Sequence, residues 1–236
     1  MLRILIMILL GLTTASAIAA PRQDWLNQNL SLSQRIGAAA EERATHFVIY
    51  DGSGMPLKYP GGDVPANKGV CTDEVIRTFR LIGVDLQQLV HEDMLRDFRA
   101  YPQKFGERAP NSDIDHRRVG NLQTFFERNA EVLPITDNGD DYLPGDVIVW
   151  DLDNFQLHIG MVTRRKSSDG KRPLVMHNIA HGPKINDQLF YFKILGHYRF
   201  DGHPKITGPI PSRTAWAPVV LKPDGFAEII DAQPQN

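Results

Sequence analysis

A single cysteine, Cys71, stands in a chain of 236 residues. It lies where a polar stretch rich in glycine and proline gives way to Val75, Ile76, Phe79, Leu81 and Ile82 among charged positions, a pattern closed by Gly83. That spacing predicts an amphipathic helix with the cysteine at its N-terminus. Unsatisfied N–H groups and a partial positive charge gather at such an end. A thiolate there is stabilised, its pKa is expected to fall, and Cys71 becomes a nucleophile candidate. The bland alternative is a small buried apolar residue. A cysteine nucleophile needs a base, and of the eight histidines His158 is the best placed, in the apolar run Leu157-His158-Ile159-Gly160-Met161-Val162. The next apolar run, Leu174-Val175-Met176, ends in the polar pair His177-Asn178. Either residue can orient the imidazole. His177 is preferred, and Asn178 stays open because strand alternation sends neighbours to opposite faces.

The elements that must position these residues follow from the hydrophobic pattern. A first helix is expected to cover Arg35 to Arg43, and a short strand Thr45 to Tyr50. An ordered loop without regular structure spans Lys58 to Gly69. After the Cys71 helix come helices over Asp85 to Phe98 and Val119 to Asn129, separated by a connector, Ala109 to Arg118, too charged to belong to a core. The second half reads as strands at Val147 to Trp150, Leu157 to Val162, Leu174 to Asn178 and Leu189 to Leu195. Helices followed by an antiparallel meander is the α+β class, with N-terminal helices packed on an antiparallel sheet. The domain boundaries expected are a signal peptide at 1–20, a helical segment at 21–44, a catalytic domain at 45–200 and an irregular tail at 201–236.

Composition narrows the functional classes. Hydrophobic residues make up 42% and charged residues 23%, as in an ordinary globular protein. Twenty-six basic against 28 acidic residues give a net charge of -2, so there is no overall basic field to attract nucleic acid. One cysteine excludes an intramolecular disulfide and any zinc site built on two to four cysteines. A zinc ion held by Cys71, His158 and His177 is a competing hypothesis, but no short ligand pair such as His-x-x-x-His supports it. No cofactor is expected. Residues 1–20 carry one early charge, Arg3, an apolar run from Ile4 to Leu12 and the small-residue stretch Ala17-Ile18-Ala19. That order is a secretory signal peptide, and the run is far short of the roughly 20 residues that span a bilayer. The mature protein is therefore expected in the periplasm or secreted, with no integral membrane segment after cleavage.

Val70-Cys71-Thr72-Asp73, Pro144-Gly145-Asp146-Val147-Ile148, His158-Ile159-Gly160-Met161-Val162 and Val175-Met176-His177-Asn178 occur in that order along the chain. Together they resemble the NlpC/P60 class of papain-like cysteine peptidases. A narrower resemblance, to the DUF1287 family of exported bacterial proteins near that clan, is carried by Gly69-Val70-Cys71-Thr72-Asp73, Ile114-Asp115-His116-Arg117-Arg118, His177-Asn178-Ile179 and Gly196-His197-Tyr198-Arg199. The resemblance implies a papain-like fold. It implies thiolate attack by Cys71 on an amide carbon, with His158 as base and then acid, and His177 holding the imidazole. It also implies an oxyanion donor in the Cys71 N–H and a tyrosine about a dozen residues before the cysteine, where Tyr59 stands. The class usually shows Asp-Cys-Ser-Gly, so Val70-Cys71-Thr72-Asp73 signals a different substrate wall. Asp73 can cap the helix, complement its dipole or bind a substrate amine. Asp115-His116-Arg117-Arg118 reads either as a carboxylate grip for a peptide stem or as a solvated connector. His197 and Arg199 are read either as similar carboxylate binders or as structural sheet-edge residues.

The function expected is an exported cysteine amidohydrolase cutting peptidoglycan stem or cross-link peptides. The alternatives are a catalytically silent cell-wall-binding module, or an amidase or acyltransferase on another amide or lipid substrate. The partner expected is peptidoglycan or another peptide, not nucleic acid.

Overall fold

The computed structural model describes residues 23–153 and 156–210, together with the backbone of 219–221 and 227–229. The expected signal peptide lies outside the described residues.

Helix α1, Leu32–Arg43, begins where the Ser31 side chain accepts the Gln34 N–H, an N-cap of the usual kind. Strands β1, Ile49–Tyr50, and β2, Lys68–Gly69, follow and pair in parallel. Only the last two of the six residues expected as a strand pair, and their partner arises inside the loop expected to lack regular structure. Helices α2, Cys71–Leu81, α3, Leu86–Arg96, and α4, Val119–Asn129, come next. Gly83, at φ +88°, turns the chain between α2 and α3, a conformation glycine adopts without steric cost. Asp85 then caps α3 through the Gln87 N–H.

The remaining strands are β3, Glu131–Val132, β4, Val147–Asp151, β5, Leu157–Lys166, β6, Pro173–His177, β7, Lys184–Asn186, and β8, Lys193–Arg199. They form one antiparallel sheet in the order β3-β8-β4-β5-β6-β7. The fold is α+β, with helices on one face of an antiparallel sheet. The meander holds for β4 through β7, but β8 returns to the far side of β4. The strand expected over Leu189–Leu195 therefore shifts to Lys193–Arg199. Leu189 is buried instead beside Trp150, whose Nε1 donates to the Leu189 carbonyl at 2.9 Å. In the tail expected to be irregular, β9, Val219–Leu221, and β10, Ala227–Ile229, pair antiparallel; residues 211–218, 222–226 and 230–236 lie outside the described residues.

The two faces of the sheet bury different sets. Val147, Val149, Ile159, Met161 and Met176 join Cys71, Phe79, Phe125 and Phe126 under the helices. Ile148, Trp150, Val162 and Val175 join Tyr142 and Leu189 on the opposite face. Each fully buried large side chain contributes about 1.5–3 kcal/mol, so both layers hold the sheet in register. α1 belongs to the same body, because Ile36 and Ala40 enter the helix-side core and Arg164 of β5 makes a charge-paired fork with Glu41. Among the described residues no helix is long and apolar enough to cross a membrane.

Candidate active site

Cys71 is the first residue of α2 and is buried, 5% exposed. The carboxylate of Asp73 accepts the Val70 N–H at 2.7 Å and so caps this helix, while the Thr72 hydroxyl donates to the Arg117 carbonyl at 3.0 Å. Burial pushes the Cys71 thiol up to about 11, against the pull of the Ile159, Thr72 and Cys71 backbone N–H groups, and the Asp73 charge adds to the rise. The expected depression is thus reversed. A thiolate here would give up bulk water, and the helix terminus does not replace what it loses.

The Ile159 N–H at the sulfur seats the thiol beside the peptide that joins His158 to Ile159. Alternation along β5 sends Ile159 and Met161 toward the helices and His158 toward the opposite face, where its ring stacks on Trp150 at 5.7 Å between centroids. Trp150 is its cross-strand partner. From β6, His177 meets the same imidazole: His158 Nε2 and His177 Nδ1 are 2.9 Å apart. Burial pushes His158 down to about 3, with His177 adding to the effect. Burial also lowers His177 to about 4, opposed in part by the nearby Gln188. Both rings are therefore neutral at pH 7. Gly160 lies opposite His177 in register. A Cβ there would come within 2.6 Å of the Met176 carbonyl, 2.9 Å of His177 Cβ and 3.1 Å of Trp150 Cζ3, so only glycine lets the two strands and the indole close around the imidazoles.

His177 is thus the residue that holds His158. Asn178 is fully buried, and neither end of its amide has a partner. With Nε2 engaged, Nδ1 is the nitrogen left to His158 for proton transfer. No hydrogen bond joins Cys71 to His158 among the described residues. Nor is any group of three or more His, Cys, Asp or Glu side chains among them placed to hold a metal ion.

Of the other residues singled out by sequence, Tyr59 and the charged connector are placed differently from their expected roles, whereas Asp73, His197 and Arg199 take the structural reading among their alternatives. Tyr59 stands edge-on to the His91 ring at 5.0 Å, and its hydroxyl is raised by burial and by Glu92 and Asp85, not by the cysteine. The tyrosine that does feel the thiol is Tyr50, pushed up to about 12 by burial and by the charges of Cys71 and Asp73. Its signal in the sequence was the Thr45–Tyr50 strand pattern. The partner strand of that segment, β2, runs straight into Val70 and Cys71.

Asp73 faces no open substrate wall. It is buried against Arg117, whose Nε and Nη2 donate to its two oxygens at 2.8 and 3.0 Å. Arg117 also donates to the Ser53 carbonyl at 2.9 Å. The connector Asp115-His116-Arg117-Arg118 is accordingly not a solvated carboxylate grip. Asp115, His116 and Arg117 form a buried single-turn helix, in which Asp115 accepts the Asn111 N–H and lies 3.7 Å from His91. His116 is lowered to about 4 by burial and by Arg80 and Arg117. Arg118 is paired with Glu107 and lies over the Phe105 ring at 4.2 Å. His197 is buried and Arg199 half-buried, and both bind Asp146, His197 Nε2 at 2.8 Å and Arg199 through two nitrogens at 2.8 Å. The Asp of Pro144-Gly145-Asp146 therefore ties β8 to the start of β4.

The chain is similar to two known proteins and to one family model. The Escherichia coli (strain K12) protein described as "Uncharacterized protein YijF" is 48% identical over 174 residues, which is 74% of this chain and 82% of that protein. A solved structure, "Structure of NlpC1 from Trichomonas vaginalis", superposes over 71% of this chain with a TM-score of 0.39 and 14% identity. The chain spans 44% of that protein's length. A family model described as "Domain of unknown function (DUF1287)" matches residues 37–200, the stretch that runs from α1 through β8 and holds Cys71, His158 and His177, and the chain belongs to that family.

Proposed function

We propose that the protein is an exported cysteine amidohydrolase that cleaves an amide bond in the peptide portion of peptidoglycan, with Cys71 as nucleophile and His158 as base. The observation that carries the reading is the His158 Nε2···His177 Nδ1 contact of 2.9 Å, made on the strand whose Ile159 shares a core cluster with the helix-opening Cys71. A second polar residue occupies Nε2 of the imidazole; for Nδ1 to take the thiol proton, the ring has to swing from the sheet face it shares with Trp150 to the face that buries Cys71. This is the base-and-orienter logic of nucleophilic catalysis.

With the thiol at about 11 and the imidazole at about 3, both groups rest neutral. Attack is then coupled to proton transfer. As Cys71 Sγ bonds to the amide carbon, its proton passes to His158 Nδ1 and the carbonyl oxygen takes the negative charge. The Cys71 N–H and the Tyr50 hydroxyl supply donors for that oxygen. The C–N bond breaks as His158 returns the proton to the leaving amine. Water then attacks the thioester carbon and gives a proton to His158. The acid product leaves, and the proton returns to sulfur. Peptidoglycan as substrate and an exported location rest on the N-terminal pattern of residues 1–20.

The 5% exposure of Cys71 favours a second reading, a wall-binding module in which the thiol is silent. Incubating the protein and Cys71→Ala with purified peptidoglycan under reducing conditions, and weighing the released fragments, separates the two. Fragment release lost in Cys71→Ala supports the hydrolase and identifies the bond. Equal binding with no release from either protein supports the module.

A further inference from the structure

We propose that the cleft between residues 54–56 and 111–114 is a subsite for a free ammonium group on the substrate peptide, so that the protein acts on stem peptides whose diamino acid is not cross-linked. The inference rests on the reading of the protein as an amidohydrolase of peptidoglycan peptides and deepens it.

The cleft has a volume of about 420 Å³ and is lined by Gly54, Met55, Pro56, Asn111, Asp113 and Ile114. That volume suits a small ligand or one side chain of a larger one. Both walls are pinned to the head of α2. On one side, a Cβ on Gly52 would touch Val70 Cγ1 at 3.6 Å, and the Ser53 carbonyl accepts Arg117 Nη1 at 2.9 Å. On the other, the Asn111 N–H donates to Asp115, and two residues further on the Arg117 carbonyl accepts the Thr72 hydroxyl at 3.0 Å. A ligand group in this cleft is therefore held next to the segment that carries Cys71.

Asp113 is the charged residue of the lining. Its Oδ1 bridges the two walls by accepting the Leu57 N–H at 3.0 Å, and its own N–H donates to Asn111 Oδ1 at 2.9 Å. Its Oδ2 has no hydrogen bond or ion pair among the described residues. The carboxylate is half-buried and fixed by the bond across the cleft, so one oxygen is left free for a cation. Met55, Pro56 and Ile114 offer an apolar wall to methylene groups. A free carboxylate oxygen beside such a wall fits a primary ammonium on an alkyl stem and repels a carboxylate. In peptidoglycan the first residue of the stem is amide-linked to the sugar, so the free ammonium belongs to the diamino acid, and cross-linking converts it to an uncharged amide. The cleft thus distinguishes free stems from cross-linked ones.

The test measures calorimetric binding of two peptides to the full protein carrying Cys71→Ala. One is a stem tripeptide blocked at its N-terminus and ending in lysine; the other is the same peptide with the lysine amine acetylated. The free amine is expected to bind about tenfold tighter, the scale of one charge-assisted hydrogen bond at a half-exposed site. Adding Asp113→Asn, which keeps the oxygen that accepts the Leu57 N–H, is expected to remove the difference. Gly54→Lys brings a competing ammonium into the cleft, since a Cβ at that position meets nothing within 4 Å, and is expected to remove it without altering Asp113. Equal binding of the two peptides by the Cys71→Ala protein overturns the inference, as does no binding of either, or a preference that survives in a folded Asp113→Asn or Gly54→Lys protein. Peptidoglycan release by the wild type, measured alongside, separates the two readings. Cys71-dependent release without an ammonium preference keeps the hydrolase and removes the subsite, whereas an Asp113-dependent preference without release does the opposite.

Discussion

Replacing Arg117 by leucine tests whether the charged connector is internal scaffold or substrate contact. In the native protein Arg117 and Asp73 are each 2% exposed and paired through two hydrogen bonds of 2.8 and 3.0 Å. Removing the guanidinium leaves a carboxylate buried at the head of α2, with only the Val70 N–H still bound to it at 2.7 Å. Breaking a buried pair from one side costs about 3–5 kcal/mol. At roughly 2–4 °C per kcal/mol for a domain of this size, the melting temperature is expected to fall by about 6–20 °C. The double variant Asp73→Asn/Arg117→Leu no longer buries an unpaired charge. It is expected to recover part of that loss, with a coupling of about 1–3 kcal/mol.

The assay is equilibrium urea unfolding of the wild type, both single variants and the double variant, with the denaturant slope checked for constancy. Alkylation of native Cys71 gives a second readout, because an Asp73 charge released from Arg117 pushes the neighbouring thiol further up and slows the reaction. If Arg117→Leu unfolds within about 0.5 kcal/mol of wild type while binding of peptidoglycan fragments weakens, the scaffold argument is wrong and the connector is a carboxylate grip after all.

Three further outcomes follow from the same geometry. With its thiol near 11, native Cys71 is expected to react with iodoacetamide about tenfold faster for each pH unit between 7 and 9, whereas the urea-unfolded chain levels off near the ordinary thiol value of about 8.5; equal native and unfolded rates at pH 7 would contradict the burial argument. Gly160→Ala drives a Cβ into the Met176 carbonyl, His177 and Trp150 and is expected to cost about 1–3 kcal/mol, read as a lower urea midpoint with altered Trp150 fluorescence; an unchanged midpoint and spectrum would show that the strands open there without cost. Acid should destabilise the fold early. His116, His158 and His177 have folded pKa values lowered to about 4, 3 and 4, so between pH 6.5 and 4 the unfolded chain binds protons that the native state refuses, and stability falls with pH by up to about 1.4 kcal/mol per unit for each ring. A urea midpoint that holds steady from pH 7 to 4.5 would argue against three neutral buried histidines.

Much of the scaffold was legible because its signals are local. The amphipathic period over Val75, Ile76 and Phe79, the helix start near Asp85 and the break at Gly83 are read within one or two turns of chain, and the structure ends α2 and begins α3 there. The pairing of His158 with His177 was legible for the same reason, since consecutive antiparallel strands bring neighbouring runs together. Long-range partners were not. The charges of Asp115, His116 and Arg117 look solvated until Arg117 is seen to meet Asp73, 44 residues earlier. Tyr59 has the expected spacing from Cys71, yet it packs on His91. Tyr50 is brought to the thiol by the β1–β2 pairing, which two residues per strand cannot announce.

The reversed shift of Cys71 shows how magnitudes decide what motifs alone do not. A helix terminus contributes about 0.3–1 kcal/mol to a charge at its end, less than one pKa unit at 1.36 kcal/mol per unit. Full burial moves a titratable group by up to 3–5 units. The sequence places Cys71 at a helix terminus, and it contains nothing that reports the 5% exposure of the side chain, so the smaller effect was visible and the larger one was not. With both effects known, burial keeps the thiol and the two imidazoles neutral at rest. Nucleophilic chemistry at this cysteine then has to start from a neutral thiol, with proton transfer coupled to attack, and not from a preformed ion pair.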